Sequence, residues 1–297
     1  MVYFVVNPAA CSGRAASAVP IIEKALRESG EPHAFVHTSA PGDFDRVAGL
    51  IDFGAAETIV CVGGDGTVQE YVGLAAGRDV NFGVIPAGSA NDLLLSVPGG
   101  GRKFRNYEER ITYFTKKVIA RGTMLADAVL VNGERFFLNI GGTGIDIQVL
   151  KGAQPLKKYF SGAAYFISLI KNAVTYKAAE MTLTVDGVTE TAEFLLLDVC
   201  NGAYYGGGLR IAPPAVINDG LITLCKVRKM PRLKLMALFP LVKPGRHTGF
   251  KEVSFVNCSS VKLEFDGVIT VNLDGNLIDC ESPLTFEIVK NAVRLIV

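Results

Sequence analysis

The chain has 297 residues, 49% of them hydrophobic and 20% charged, with a formal net charge of +1. That length allows about two domains at roughly 150 residues each, with a sizeable core, and the composition excludes a disordered or low-complexity chain. Near-neutral charge excludes a globally polyanion-seeking protein, so any attraction to membrane or nucleic acid has to be local.

Strand-like and helical stretches alternate in the first part of the chain. Val2 to Val6 reads as a strand, Ala16 to Ser29 as a helix, Ala34 to His37 as a strand and Asp43 to Phe53 as a helix. Thr58 to Val62, rich in β-branched residues, reads as a buried strand, followed by a helix from Thr67 to Ala76 and a strand from Asn81 to Pro86. Such alternation predicts a parallel sheet covered by helices on both faces. The opening strand stops at Asn7-Pro8, too short for a secretory signal and without its basic flank. No apolar run approaches the about 18 to 20 residues of a membrane span. Six cysteines, Cys11, Cys61, Cys200, Cys225, Cys258 and Cys280, form no C-x-x-C pair, so neither a zinc site nor a disulfide framework is expected. A reducing, cytoplasmic setting is expected, with any membrane touched from outside.

Two turns carry chemistry. Gly63-Gly64-Asp65-Gly66-Thr67 connects a strand to a helix, and its glycines let the backbone approach a polyanion closely. Asp65 does not belong in a pure anion cradle; it either meets Mg²⁺, takes a proton from an attacking hydroxyl, or caps the helix. Pro86 to Leu94 is a second turn of this kind, where Ser89 or Asn91 is also read as an N-cap with Asp92 in the first helical turn. Ligands in open α/β sheets bind outside the carboxyl ends of the strands, so Asn7 to Arg14, Thr38, Gly63 to Thr67 and Pro86 to Asp92 should converge.

From about residue 126 the pattern becomes strands joined by tight turns, with one helical stretch near Ser161 to Val174. Asn132-Gly133, Asp186-Gly187 and Asp266-Gly267 are hairpin signals. The expected organisation is an α/β domain over residues 1–125 and a β-rich domain, a sandwich, over residues 126–297. The last strand, Leu284 to Val297, can pair in the second domain or return to the first.

Taken together these segments resemble the diacylglycerol kinase catalytic family, which includes bacterial lipid kinases and sphingosine kinases. The resemblance runs through Asn7-Pro8, Ser12-Gly13-Arg14, GGDGTVQEYVGL from Gly63, PAGSANDLL from Pro86 and GTGID ending at Asp146. It continues through GGGLRIAP from Gly206, Asn218-Asp219-Gly220-Leu221 and Leu273-Asp274-Gly275. GGDG alone is shared with NAD kinases and phosphofructokinases, whose fold the first domain should follow, and an NAD kinase-like enzyme is the competing reading. The resemblance implies transfer of the γ-phosphoryl group of ATP to a lipid hydroxyl, diacylglycerol by default, with the nucleotide between the domains. Asp65, Asp92 and Asp274 would be the catalytic acids. Asn7, Ser12, Gly13, Arg14, Thr38, Gly63, Gly64, Gly66, Thr67, Glu70 and Ser89 would line the nucleotide. Asp219, with the carbonyls of Val216 and Leu221, would hold a structural Mg²⁺, unless Asn218-Asp219-Gly220 is a plain turn.

The family ends its last motif with Asp-Gly-Glu and assigns that glutamate as general base; here Asn276 stands in its place. An amide cannot accept the proton, which leaves Asp65, Asp274, Asp279 or Glu281 for that task, or a weakly active or inactive binding protein. Between Asp219 and Glu252 there is no acidic residue, while eight lysines and arginines from Lys226 to Lys251 are interleaved with Leu233, Leu235, Met236, Leu238 and Phe239. Such a segment suits either a peripheral contact with the inner membrane surface or a helix with a solvated basic face; the resemblance favours the membrane. Nucleic acid is not expected as a partner, and a homodimer stays open.

Overall fold

The computed structural model describes residues 1–153 and 176–297; the helical stretch expected near Ser161 to Val174 lies outside them. Strands β1 (Val2–Val6), β2 (His33–His37), β3 (Thr58–Gly63) and β4 (Asn81–Pro86) form a parallel sheet in the order β2-β1-β3-β4. β1 and β3 are buried throughout, which explains their continuous apolar runs. Their side chains alternate between two cores. Tyr3, Val5, Ile59 and Cys61 pack with Val47, Val68 and Tyr71 from the helices Phe44–Gly49 and Asp65–Tyr71. Val2, Phe4, Val60 and Val62 pack on the other face with Ile22 and Leu26 of the helix Val19–Ser29 and Ile111 and Val118 of the helix Tyr107–Ala120. The helix Tyr107–Ala120 is capped by Asn106, whose side chain accepts a hydrogen bond from Glu109 N–H at 2.8 Å.

The second half is built from β5 (Thr123–Val131), β6 (Arg135–Phe137), β7 (Ile140–Gly144), β8 (Ala179–Val185), β9 (Val188–Cys200), β10 (Ile222–Arg228) and β11 (Val253–Cys258). It closes with β12 (Ser260–Glu264), β13 (Val268–Leu273), β14 (Asn276–Glu281) and β15 (Leu284–Ile296). Its pairings are antiparallel except where β15 meets β4. Two expected hairpins form: β5 to β6 at Asn132-Gly133 and β8 to β9 at Asp186-Gly187, each with two positive φ angles. Asp266-Gly267 behaves differently from the expectation. It joins β12, paired with β8 and β15, to β13, paired with β7 and β14, so it is a crossover between strands that do not pair. The third hairpin turn is instead Asp274-Gly275, between β13 and β14, with φ of 45° and 99°.

β15 resolves the question of the last strand by serving both halves. Its start pairs with β12, most of its length runs antiparallel to β5, and its end pairs in parallel with β4 through Arg294 and Leu295. The register shifts between Val289 and Val293, and buried Asp127 secures the irregularity by accepting hydrogen bonds from Asn291 N–H at 2.7 Å and Gly220 N–H at 2.6 Å. The single sheet carried by this strand positions the α/β turns opposite the β-rich half.

Candidate active site between the two halves

β3 ends at Gly63, and the helix that follows starts at Asp65, so Asp65 is its first residue, two positions earlier than the sequence suggests. The turn after β4 leads into a five-residue 3₁₀ helix, Asp92–Ser96, rather than an α-helix. Asn91 does not cap it. Its backbone is left-handed (φ 58°) and its side-chain amide closes the turn, accepting from Gly88 N–H at 3.1 Å and donating to Gly88 O at 2.9 Å. The two turns touch. Ala87 and Gly88 N–H groups donate to Gly63 O at 2.8 and 3.0 Å. A Cβ on Gly88 would lie 2.4 Å from Gly64 Cα, so a side chain has no room there.

Three carboxylates gather around this contact. Asp65 Oδ1 accepts from Leu93 N–H at 3.2 Å, binding the first turn to the second. Asp92 reaches the β-rich half, accepting from Gly207 N–H at 2.8 Å and Gly208 N–H at 2.7 Å. Asp274 accepts from the N–H groups of Leu138, Asn139 and Ile140, the last at 2.7 Å, and so anchors its hairpin to the segment before β7. Burial raises all three carboxyls above the usual range, Asp92 to about 6 and Asp274 to about 7, and the charge of Asp65 adds to the rise in both.

A cleft of about 760 Å³ opens over these groups. Of the expected residues, Asp65, Asp92 and Asp274 line it together with Asn7, Thr38, Gly64, Gly66, Thr67, Glu70 and Ser89. Asn7 Nδ2 donates to Thr67 Oγ1 at 3.3 Å, joining the first loop to the glycine turn. Glu70 accepts from Gly42 N–H at 2.6 Å, which fixes the segment after Thr38. Three expected residues are not part of the wall. Gly63 lies behind it, accepting from the second turn; Gly13 is exposed; and Arg14 lines a separate pocket. The side chain of Ser12 lies outside the described residues.

Asp219, Val216 and Leu221 stand away from the cleft wall, in a turn where Asp219 Oδ1 accepts from Leu221 N–H at 3.0 Å. Among the described residues no group of three or more His, Cys, Asp or Glu side chains converges as metal ligands. The donor chemistry of the cleft nonetheless suits Mg²⁺, which takes hard oxygen ligands and is commonly held by one or two carboxylates plus substrate phosphates. Asp65 and Asp92 present such oxygens on one wall.

Two features were not expected as site elements. Asn276 Nδ2 donates to Gly66 O at 2.8 Å and to Gln69 Oε1 at 2.7 Å, so the residue at the family's base position is an amide clasp across the cleft. Asp146, at the end of the GTGID segment, lines the opposite wall and neighbours Asp198 of β9; burial raises Asp146 to about 7, and burial with the Asp146 charge raises Asp198 well above its ordinary value. Asp146 Oδ1 and Asp198 Oδ2 are buried without hydrogen-bond partners among the described residues. The motif marks Asp146, and the only signal for Asp198 is a lone carboxylate inside the apolar run Phe194 to Cys200.

A glycine-walled, carboxylate-lined cleft lies between a parallel α/β sheet and a β-rich half, the two-part arrangement that the sequence predicts. The family model described as "Diacylglycerol kinase catalytic domain" matches residues 1–127, and that described as "YegS C-terminal NAD kinase beta sandwich-like domain" matches residues 140–297. The chain belongs to the diacylglycerol kinase and YegS family of lipid kinases. It is 29% identical over 242 residues to "Diacylglycerol kinase" of Mycobacterium tuberculosis strain H37Rv, covering 81% of this chain and 76% of that one. It is 26% identical over 243 residues to "Diacylglycerol kinase" of Bacillus subtilis, covering 80% and 77%. A crystal structure of a diacylglycerol kinase from Bacillus anthracis has the same fold, with a TM-score of 0.77 over 99% of this chain and 96% of that one at 22% identity.

Proposed function

We propose that the protein transfers the γ-phosphoryl group of ATP to a lipid hydroxyl, with diacylglycerol as the default acceptor. The observation that carries this reading is the backbone contact of Gly64 with Gly88, which brings Asp65 and Asp92 to one cleft wall. Phosphoryl transfer needs mainly positioning and neutralisation of charge. The glycine turns admit phosphates close to the backbone, and Asn7 and Thr67 hold the first loop beside them. Asp65 takes the proton of the acceptor hydroxyl, and burial raises its carboxyl above the usual range, the direction that makes it a stronger base. Asp92 has both oxygens bound to Gly207 and Gly208, so it joins the two halves around the substrates. Mg²⁺, when bound at Asp65 and Asp92, supplies neutralisation of the phosphate charge.

The lipid enters along the β-rich half, where Val149, Leu209 and Phe239 give the cleft an apolar side. Phe239 belongs to the helix Arg232–Val242, which buries Leu235 and Leu238 but leaves Leu233 83% and Met236 40% exposed. Lys226, Arg228, Lys229 and Lys234 are paired with glutamates, whereas Arg232, Lys243 and Arg246 make no ion pair among the described residues. An exposed apolar edge with unpaired cations, on the segment that sends Phe239 into the cleft, suits peripheral contact with an anionic inner membrane surface, each cation contributing about 1 kcal/mol. No helix of the described residues is long and apolar enough to cross a membrane.

The test is incubation of the purified protein with ATP, Mg²⁺ and mixed micelles of several lipids, with NAD in parallel. Phosphorylated lipid is expected. Phosphorylated NAD with untouched lipid, or ATP binding without transfer to any acceptor, overturns the reading.

A further inference from the structure

A second pocket of about 490 Å³ lies behind the turn that carries Asp92, sharing Ala90 with the main cleft. Four cations line it, Arg14, Arg102, Lys103 and Arg110, and no carboxylate does. None of the four has an ion-pair partner among the described residues, whereas Arg27, Arg46, Arg121, Arg228 and Arg294 are matched with acids. The guanidinium groups of the three arginines rest on aromatic faces instead. Arg14 and Arg110 lie 5.0 and 5.3 Å from the Tyr107 ring centroid, and Arg102 lies 4.6 Å from that of Tyr113. Arg110 Nε is buried with no hydrogen-bond partner among the described residues. Burial, with the charge of Arg14 nearby, presses its guanidinium below the usual range.

Cations brought together without counter-charges repel one another, and a partly desolvated guanidinium lacking acceptors carries a standing cost. Stacking on aromatic rings orients their N–H edges without satisfying them. A tetrahedral phosphoryl anion with several acceptor oxygens answers both deficits, because guanidinium groups match phosphoryl geometry with paired, charge-assisted hydrogen bonds. We propose that this pocket is a second binding site for a phosphoryl group, apart from the nucleotide cleft, supporting the Ala87 to Asp92 turn from behind. The group is either free phosphate, alone or on a small soluble molecule, or the phosphodiester of an anionic lipid headgroup. The inference goes beyond the kinase reading and needs no turnover to be tested.

The experiment uses the full chain and three variants: Arg102→Gln with Lys103→Gln, Arg110→Gln, and a control on the exposed face of the helix Val19–Ser29, Lys24→Gln with Arg27→Gln. Inorganic phosphate is titrated while thermal unfolding is followed, and sedimentation is measured with phosphatidylglycerol and with phosphatidylcholine vesicles. ATP affinity is measured alongside. The expected result is a half-saturating phosphate concentration, or an affinity for phosphatidylglycerol vesicles, weakened roughly tenfold or more in both pocket variants and unchanged in the control. ATP affinity stays as in the wild type. Loss in the phosphate arm alone identifies a soluble ligand, and loss in the phosphatidylglycerol arm alone identifies a lipid headgroup. The double variant keeps the test open if Arg110→Gln fails to fold, since its residues are exposed. Equal responses in all proteins, or an equal loss in the control, overturn the proposal.

Discussion

Asn276 and Gln69, 207 residues apart in sequence, are joined by a hydrogen bond of 2.7 Å from Asn276 Nδ2 to Gln69 Oε1. The same nitrogen donates to Gly66 O at 2.8 Å, and Gln69 in turn donates to Phe136 O at 3.2 Å. An amide is needed at Asn276 because both of its partners are acceptors. Asn276→Asp, equal in shape but without N–H groups, is expected to destabilise the protein by about 1–3 kcal/mol and to lower kcat/KM. Asn276→Glu is expected to leave turnover no higher. Thermal unfolding and steady-state kinetics check both, and a faster Glu variant would show that a missing base limits the wild type.

Asp65→Asn removes the proposed proton acceptor while keeping the side chain's shape. Transfer to lipid is expected to fall by roughly 10²-fold or more, with the far-UV circular dichroism spectrum unchanged. A near-normal rate would remove Asp65 from the chemistry.

Burial holds Asp92 at about 6, with the Asp65 charge contributing, so the pair takes up protons in mildly acidic solution. Protonation removes the charge that the proposed mechanism uses. The logarithm of kcat/KM is therefore expected to rise with pH up to about 6 and then level off, the apparent value belonging to the pair rather than to one residue. A flat profile from pH 5 to 8 would separate these carboxylates from the rate.

Asp146 and Asp274 rise from 3.8 to about 7 on folding, through burial, and Asp198 rises beside Asp146. The native state then binds these protons more tightly than the unfolded chain. Their stabilising contribution is complete below about pH 4 and is lost as pH rises through about 7. Asp198→Asn is expected to raise Tm at pH 8, by about 2–4 °C for each kcal/mol recovered, and to change it little at pH 4.5. Equal shifts at both pH values would contradict a charge-based cause.

Gly88→Ala places a Cβ 2.4 Å from Gly64 Cα, a backbone atom that cannot rotate away. The expected cost is about 1–3 kcal/mol with weakened ATP binding. Calorimetry and nucleotide titration measure the two, and a variant with unchanged stability and ATP affinity would show that the turns are not held as close as the cleft requires.

The local parts of the fold were legible because their signals are local. β4 runs from Asn81 to Pro86 as read from the sequence, and β3 differs by one residue, since a buried parallel strand leaves a continuous β-branched run. Helix starts were less legible. Asn91 has the composition of a cap yet hydrogen-bonds Gly88, and Asp266-Gly267 has the composition of a hairpin yet connects strands that do not pair. Both outcomes depend on which distant strand or turn lies alongside.

Residue order alone established the alternation of strands and helices, the two glycine turns with Asp65 and Asp92, and the family, because each is written in a short window of chain. Tertiary structure alone decided that β15 serves both halves, that Asn276 clasps Gln69, that Asp198 faces Asp146, and that Arg14 joins Arg110 in a pocket of its own. Each of these joins residues far apart along the chain, and such contacts are set by packing and buried hydrogen bonding, which no local window of sequence records.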